Sequence, residues 1–306
     1  MASGNNLKKE FRKLARERTK QLKSSFREIV RDADSEAVHD FRKTTRHLQS
    51  IVDACGIGAD QRAVKQVRKR LQRSRHALSE WRDSDVMLRD LRKARKNAHD
   101  KINRHNWSMV IKRTVKARDK AIKNFLRKRK NLKIGKTVSE VRSLIDRELR
   151  PKAIMGDLQA LMRRTWEKWN QTVDACLADN GTAALHPVRI KTKSLRYAVE
   201  LSAQFYPDSE LEAMSSWLKR VQDRVGAWHD EFTLSERARE TLSKPIKKPD
   251  TRRLKLVKLL KEREIEMAED ARRYITSIRR SENFIRLQKR FSASVYAMSN
   301  GSGASP

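Results

Sequence analysis

Glycine and proline are scarce, nine and six residues in a chain of 306. A fold of many short strands needs more turn residues than that, so the scarcity argues against a β-sandwich or barrel. Cysteine is scarcer still: Cys55 and Cys176 lie far apart and outside any paired metal-ligand spacing. They read as small buried residues in a reducing compartment. Aromatic residues make up 6% of the chain, too few for a surface that works mainly by stacking on bases. No apolar run approaches the length needed to cross a bilayer. Met1 to Ser25 is polar and dense in Lys and Arg, so no secretory signal is expected and the chain reads as soluble and cytoplasmic.

Acidic residues are also in deficit. Against 38 Asp and Glu stand 72 Lys and Arg, a formal charge of +34 with a sequence pI near 10.7. Such a charge opposes compaction, and an extended polyanion is the partner that relieves it best. Nucleic acid, an anionic membrane surface and inorganic polyphosphate all qualify. Apolar residues at 38% suffice for a core.

Long segments place apolar residues every third or fourth position, the pattern of amphipathic helices, and the expected fold is all-α. Helices are expected over 7–32, 35–54, 60–97, 106–132, 139–149, 156–178, 185–205, 209–242 and 251–298. Breaks are expected at Gly56 and Gly58, at "LKIGKT" from Leu132, at "RPKAIMGD" from Arg150, at "ADNGTAA" from Ala178 and at "SKPIKKPD" from Ser243.

One pattern recurs. "VHDFRKTTRHLQSIV" from Val38 lines up with "LHPVRIKTKSLRYAV" from Leu185, pairing His39 with His186 at a shift of 186 − 39 = 147. "LSEWRDSDV" from Leu78 lines up with "VGAWHDEFT" from Val225, and 228 − 81 is again 147. Two ungapped matches at one offset point to two related helical halves, expected over 1–150 and 151–298, with a disordered tail over 299–306.

In the first copy Val38, Phe41, Thr45, Leu48 and Val52 form a packing seam, and His39, Arg42, Lys43 and Arg46 lie beside it. The second copy has Leu185, Val188, Thr192, Leu195 and Val199 in the same phase, with His186, Arg189, Lys193 and Arg196 alongside. Four cations about one turn apart extend roughly 15 Å, which suits several successive phosphates. Arg forks onto two phosphate oxygens, Lys supplies a compact charge, and each neutralised phosphate releases counterions. The residues by themselves therefore ask for a linear polyanion without saying which one. Pro187 fits a helix start, where its missing N–H matters least.

These segments resemble the CHAD (conserved histidine α-helical) domain family. The resemblance rests on "VHDFRKTTR" from Val38, "LHPVRIKTKSLRYAVE" from Leu185 and "LKRVQDRVGAWHDEF" from Leu218, with "WRDSDV" from Trp81 as a fainter counterpart, and spans about 7–296. It implies two similar helical bundles around a basic central groove or pore that binds inorganic polyphosphate and is found with polyphosphate granules. It carries over His39, Arg42 and Arg46, and His186, Arg189, Lys193 and Arg196, as the binding set. Where the family continues its basic pattern, this chain has His47 and Gln49 in one copy and Ser194 in the other. The first half is then expected either to bind less strongly or to draw charge from Lys65, Arg68 or Arg73, with Lys219 and Arg220 serving the second half.

Trp81 and Trp228 read as packing residues. Asp83 and Asp230 would repel a polyanion and are expected to cap helices or orient an Arg. No acidic metal-ligand set, phosphate-cradling Gly-rich loop or activated nucleophile is evident, and "EIEMA" from Glu264 reads as solvated helix surface. The expectation is a non-enzymatic binder of inorganic polyphosphate with no cofactor and no membrane attachment. Nonspecific attachment to nucleic-acid backbone is the alternative. Further basic segments start at Lys112 and Lys244.

Overall fold

The computed structural model describes residues 4–299 except 58, 99–100, 180, 206–207 and 243–250. The segment from Ser243 to Asp250, with Lys244, Lys247 and Lys248, and residues 300–306 of the expected tail lie outside the described residues. Among the described residues the chain is all-α, with eleven helices: α1 Gly4–Asp32, α2 Ser35–Cys55, α3 Gln61–His76, α4 Ser79–Lys96, α5 Lys101–Lys128, α6 Ile134–Glu148, α7 Ile154–Ala178, α8 Leu185–Ala203, α9 Ser209–Leu242, α10 Thr251–Arg279 and α11 Glu282–Ser299. Among the described residues no helix is long and apolar enough to cross a membrane.

Contacts divide the chain into two units, and the division is not a single cut near residue 150. Residues 1–158 and 230–263 form the first unit, and residues 159–229 and 264–306 the second. In the first, α1, α2, α3 and α6 pack together and α4 pairs with α5. Met87 and Leu91 of α4, Trp107 and Val110 of α5, Leu234 and Ala238 of α9, and Leu256 and Leu260 of α10 share one apolar cluster. In the second unit Trp169 of α7 donates its indole N–H to Thr192 of α8 (2.9 Å) and packs edge-on against Trp217 of α9. Trp166 lies against Phe284 and Phe291 of α11.

The interruptions have local causes. Asp34 caps α2 by accepting the Glu36 N–H, and Asp60 caps α3 by accepting the Arg62 N–H. The stretch expected as one helix over 60–97 is two, broken at Ala77 and Leu78 with no Gly or Pro present. Leu78 is fully buried, and Arg42 of α2 donates to the Arg75 carbonyl (2.9 Å) and the Ser79 hydroxyl (2.8 Å) across the break. The Arg75 carbonyl already accepts the Leu78 N–H (3.3 Å), so a side chain from another helix adds a second bond at the helix end. At "LKIGKT" the left-handed residue is Lys133 (φ 46°), not Gly135, which sits inside α6. The stretch expected over 251–298 also breaks, after Arg279, where the Ser281 hydroxyl accepts the Phe284 N–H. Both cysteines are buried free thiols.

Candidate functional site

The five seam residues of α2 (Val38, Phe41, Thr45, Leu48, Val52) and the five of α8 (Leu185, Val188, Thr192, Leu195, Val199) all have 0% relative exposure. Thr45 and Thr192 are accommodated there because each hydroxyl returns a hydrogen bond to its own helix, to the Arg42 and Val188 carbonyls. With the seams buried, the adjacent faces turn outward. His39, Lys43 and His186 are exposed, and Arg42, Arg46, Arg189, Lys193 and Arg196 are half-buried. α8 begins at Leu185 after a 3-10 turn over Thr182–Ala184, which puts Pro187 in its first turn.

In the first unit, Arg82 of α4 reaches His39, its Nη2 lying 3.2 Å from Nδ1. Guanidinium only donates, so Nδ1 accepts and His39 carries its proton on Nε2. Partial burial, then Arg82 and Lys43, push the His39 pKa below its ordinary 6.5, against the opposing pull of Asp40 and Glu36. His76 of α3 joins the same face: burial, Arg75, Arg42 and Arg46 push its pKa down. Arg75 also donates to Gln49 Oε1 (3.1 Å).

The α3 groups tied to this face are Arg75, which donates to Gln49, and His76, whose pKa is lowered. Arg68 is held in an ion pair with Asp53, and Lys65 and Arg73 are exposed on α3. Arg75 brings a guanidinium from α3 to Gln49, two residues after Arg73.

The second unit repeats the theme with different groups. His186 stacks on His229 of α9, ring centroids 5.3 Å apart at 27°. Burial, His229, Arg189 and Lys193 lower the His186 pKa. Arg196 pairs with Glu200 (2.9 Å), and its guanidinium lies 5.0 Å from the centre of the Tyr197 ring, so part of its charge is already answered within α8. Lys219 and Arg220 are exposed on α9.

Arg82 and His229, which sequence reasoning missed, stand at one shift from each other, 229 − 82 = 147, immediately after Trp81 and Trp228. Both tryptophans are buried, at 1% and 2% exposure, Trp81 against Phe125. The buried indole anchors the turn of helix that presents the next residue to the histidine face. Asp83 and Asp230 are exposed, and close by Asp85 holds Arg118 at 2.7 Å.

Among the described residues no group of three or more His, Cys, Asp or Glu has the arrangement of a metal site. The family model of the CHAD domain matches residues 13–239. The chain belongs to the CHAD domain family. Two solved structures share the CHAD fold seen here. The CHAD domain from the plant Ricinus communis is 16% identical, with a TM-score of 0.59 over 93% of this chain and 91% of that one. PptA from Streptomyces chartreusis is 17% identical, with a TM-score of 0.68 over 90% of this chain and 100% of that one. No curated protein matches the chain. The CHAD match takes in both histidine faces together with Arg82 and His229.

Proposed function

We propose that this CHAD domain binds inorganic polyphosphate through two basic faces, one per unit, without cleaving it. The observation that carries the reading is the organisation common to α2 and α8: a wholly buried seam, a parallel row of His, Arg and Lys beside it, and a second basic group delivered to the histidine by the residue after a buried tryptophan. Each row offers charge at intervals of about one turn, which a linear chain of phosphates can follow. The reading extends to association with polyphosphate granules, as the family resemblance implies. Binding isotherms with long-chain polyphosphate test it, and affinity is expected to fall steeply with salt as counterions are released. Orthophosphate release with Mg²⁺ or Mn²⁺ present, abolished by a point substitution, would contradict the non-enzymatic part.

The histidines add a pH dependence. His39, His76 and His186 all have pKa values below 6.5 in the free protein, and bound phosphate favours their protonated forms. Affinity should rise as pH drops from about 8 and continue rising below 6.5, levelling off once the free protein is itself protonated. The free protein responds in the opposite sense. Its folded-state values lie below the unfolded ones, so these groups contribute stability above pH 6.5 that is lost as pH falls through the lowered values. Titration calorimetry from pH 8 to 5, beside thermal melts of the free protein, checks both signs. A flat affinity profile would assign the histidines to packing alone.

A further inference from the structure

A second charged surface lies on α1, apart from the histidine faces. Lys9, Lys13, Arg16, Lys20, Lys23 and Arg27 follow one another in steps of four, three, four, three and four residues. At 3.6 residues per turn the six fall within roughly 80° of arc and extend about 27 Å along the helix. Phe11, Ala15, Leu22 and Ile29 occupy the opposite, buried side. Five of the six are exposed, Lys23 is half-buried, and none makes a side-chain ion pair or hydrogen bond among the described residues. The first half of this helix presents an open surface to which Lys9, Lys13 and Arg16 contribute, with Glu17 at its edge.

A helix face that serves only solubility interleaves Glu with Lys, because like charges three or four residues apart destabilise a helix. Here the six cations adjoin one another in five successive steps; Glu10 and Glu17 stand three or four residues from Lys13 and Lys20 on one flank, yet among the described residues neither forms an ion pair with them. The chain supplies its own comparison. Shifted by 147, the six positions fall on α7 as Gly156, Ala160, Arg163, Glu167, Asn170 and Asp174. There Arg163 is answered by Glu167, and Asn170 and Asp174 accept from Arg279. The row of cations without ion pairs is thus a feature of α1 that α7 does not share.

We propose that the α1 stripe is an auxiliary binding surface for a distal stretch of a long polyphosphate chain, a proposal that rests on the polyphosphate reading above. The stripe is one cation wide, and α1 exposes no aromatic ring: Phe11 is buried and Phe26 half-buried against Phe41 and Phe125. A narrow polymer with charge on every unit and no base to stack fits that description better than nucleic acid does.

The test compares the full chain with a variant carrying Lys9→Gln, Lys13→Gln, Arg16→Gln and Lys20→Gln. A control removes equal charge through Arg92→Gln, Lys93→Gln, Arg95→Gln and Lys96→Gln on α4. Each is titrated with long-chain polyphosphate, with an oligophosphate no longer than one histidine face, and with double-stranded DNA. For long chains the stripe variant should lose roughly tenfold or more in affinity and show a log–log salt slope shallower by about 3, at about 0.7 per contact, while short-chain affinity stays within about twofold.

Equal losses for both lengths, equal losses in the control, or no loss at all would overturn the stripe assignment alone. Loss of DNA binding with long-chain polyphosphate binding retained would make the stripe a nucleic-acid surface instead. A wild-type chain that binds neither polyphosphate would overturn the parent reading as well. Circular dichroism melts of each variant check that the exposed substitutions leave the fold intact.

Discussion

Arg46→Gln combined with Arg189→Gln is expected to weaken long-chain polyphosphate binding by about a hundredfold, at ~1.4 kcal/mol or more for each charge-assisted phosphate contact. The log–log salt slope should become shallower by about 1.4 for the two contacts. Arg46 belongs to the α2 face that lowers the His76 pKa, and Arg189 to the α8 face that lowers that of His186. Arg42 is the poorer test, because its guanidinium also holds the end of α3 through Arg75 and Ser79, and its loss would mix stability with binding. The matched control is Lys255→Gln with Lys258→Gln, two exposed cations of α10. Losses of equal size in both double variants would mean that binding follows net charge and not the histidine faces.

Trp169→Ala is expected to cost about 3–5 kcal/mol, the range for removing a large aromatic from a packed core. Trp169 has 0% exposure, packs on Trp166 and Trp217, and gives its indole N–H to Thr192, the centre of the α8 seam. Trp169→Phe keeps most of the ring volume and loses that bond, so a cost of about 1 kcal/mol is expected. Thr192 retains its bond to the Val188 carbonyl in either case. Denaturant unfolding separates the two, and near-equal midpoints would show that the Thr192 bond, not the ring, dominates at this site.

Much of the fold was legible because the helices are long and their apolar positions regular. α1, α2, α7, α8 and α9 begin or end within a few residues of where periodicity puts them. What was not legible was an interruption held from outside the segment. Nothing at Ala77 and Leu78 breaks a helix locally. The break is bridged by Arg42, thirty-three residues before the carbonyl to which it donates. Lys133 likewise takes a left-handed conformation although it is not glycine. Neither feature has a local signature.

The two histidine rows were legible from phase alone, since the apolar seam fixes which side of the helix faces out. Their partners were not. Arg75 and His76 reach the α2 face because α3 packs against α2, and Arg82 and His229 reach the histidines because Trp81 and Trp228 fix the rotation of their helices. The signal that could have found the last pair was already present, one residue beyond the tryptophan in each aligned segment. The reduced availability of Arg196 was also readable, from a Glu four residues later.

The most direct measurement of the central claim is competition at physiological salt: labelled long-chain polyphosphate bound to the full chain, challenged with single- and double-stranded DNA at equal phosphate concentration. Faces spaced for bare phosphates and lacking stacking aromatics should keep polyphosphate bound, with DNA displacing only a minor fraction. Complete displacement by DNA would contradict the account and make this CHAD domain a general phosphate-backbone binder.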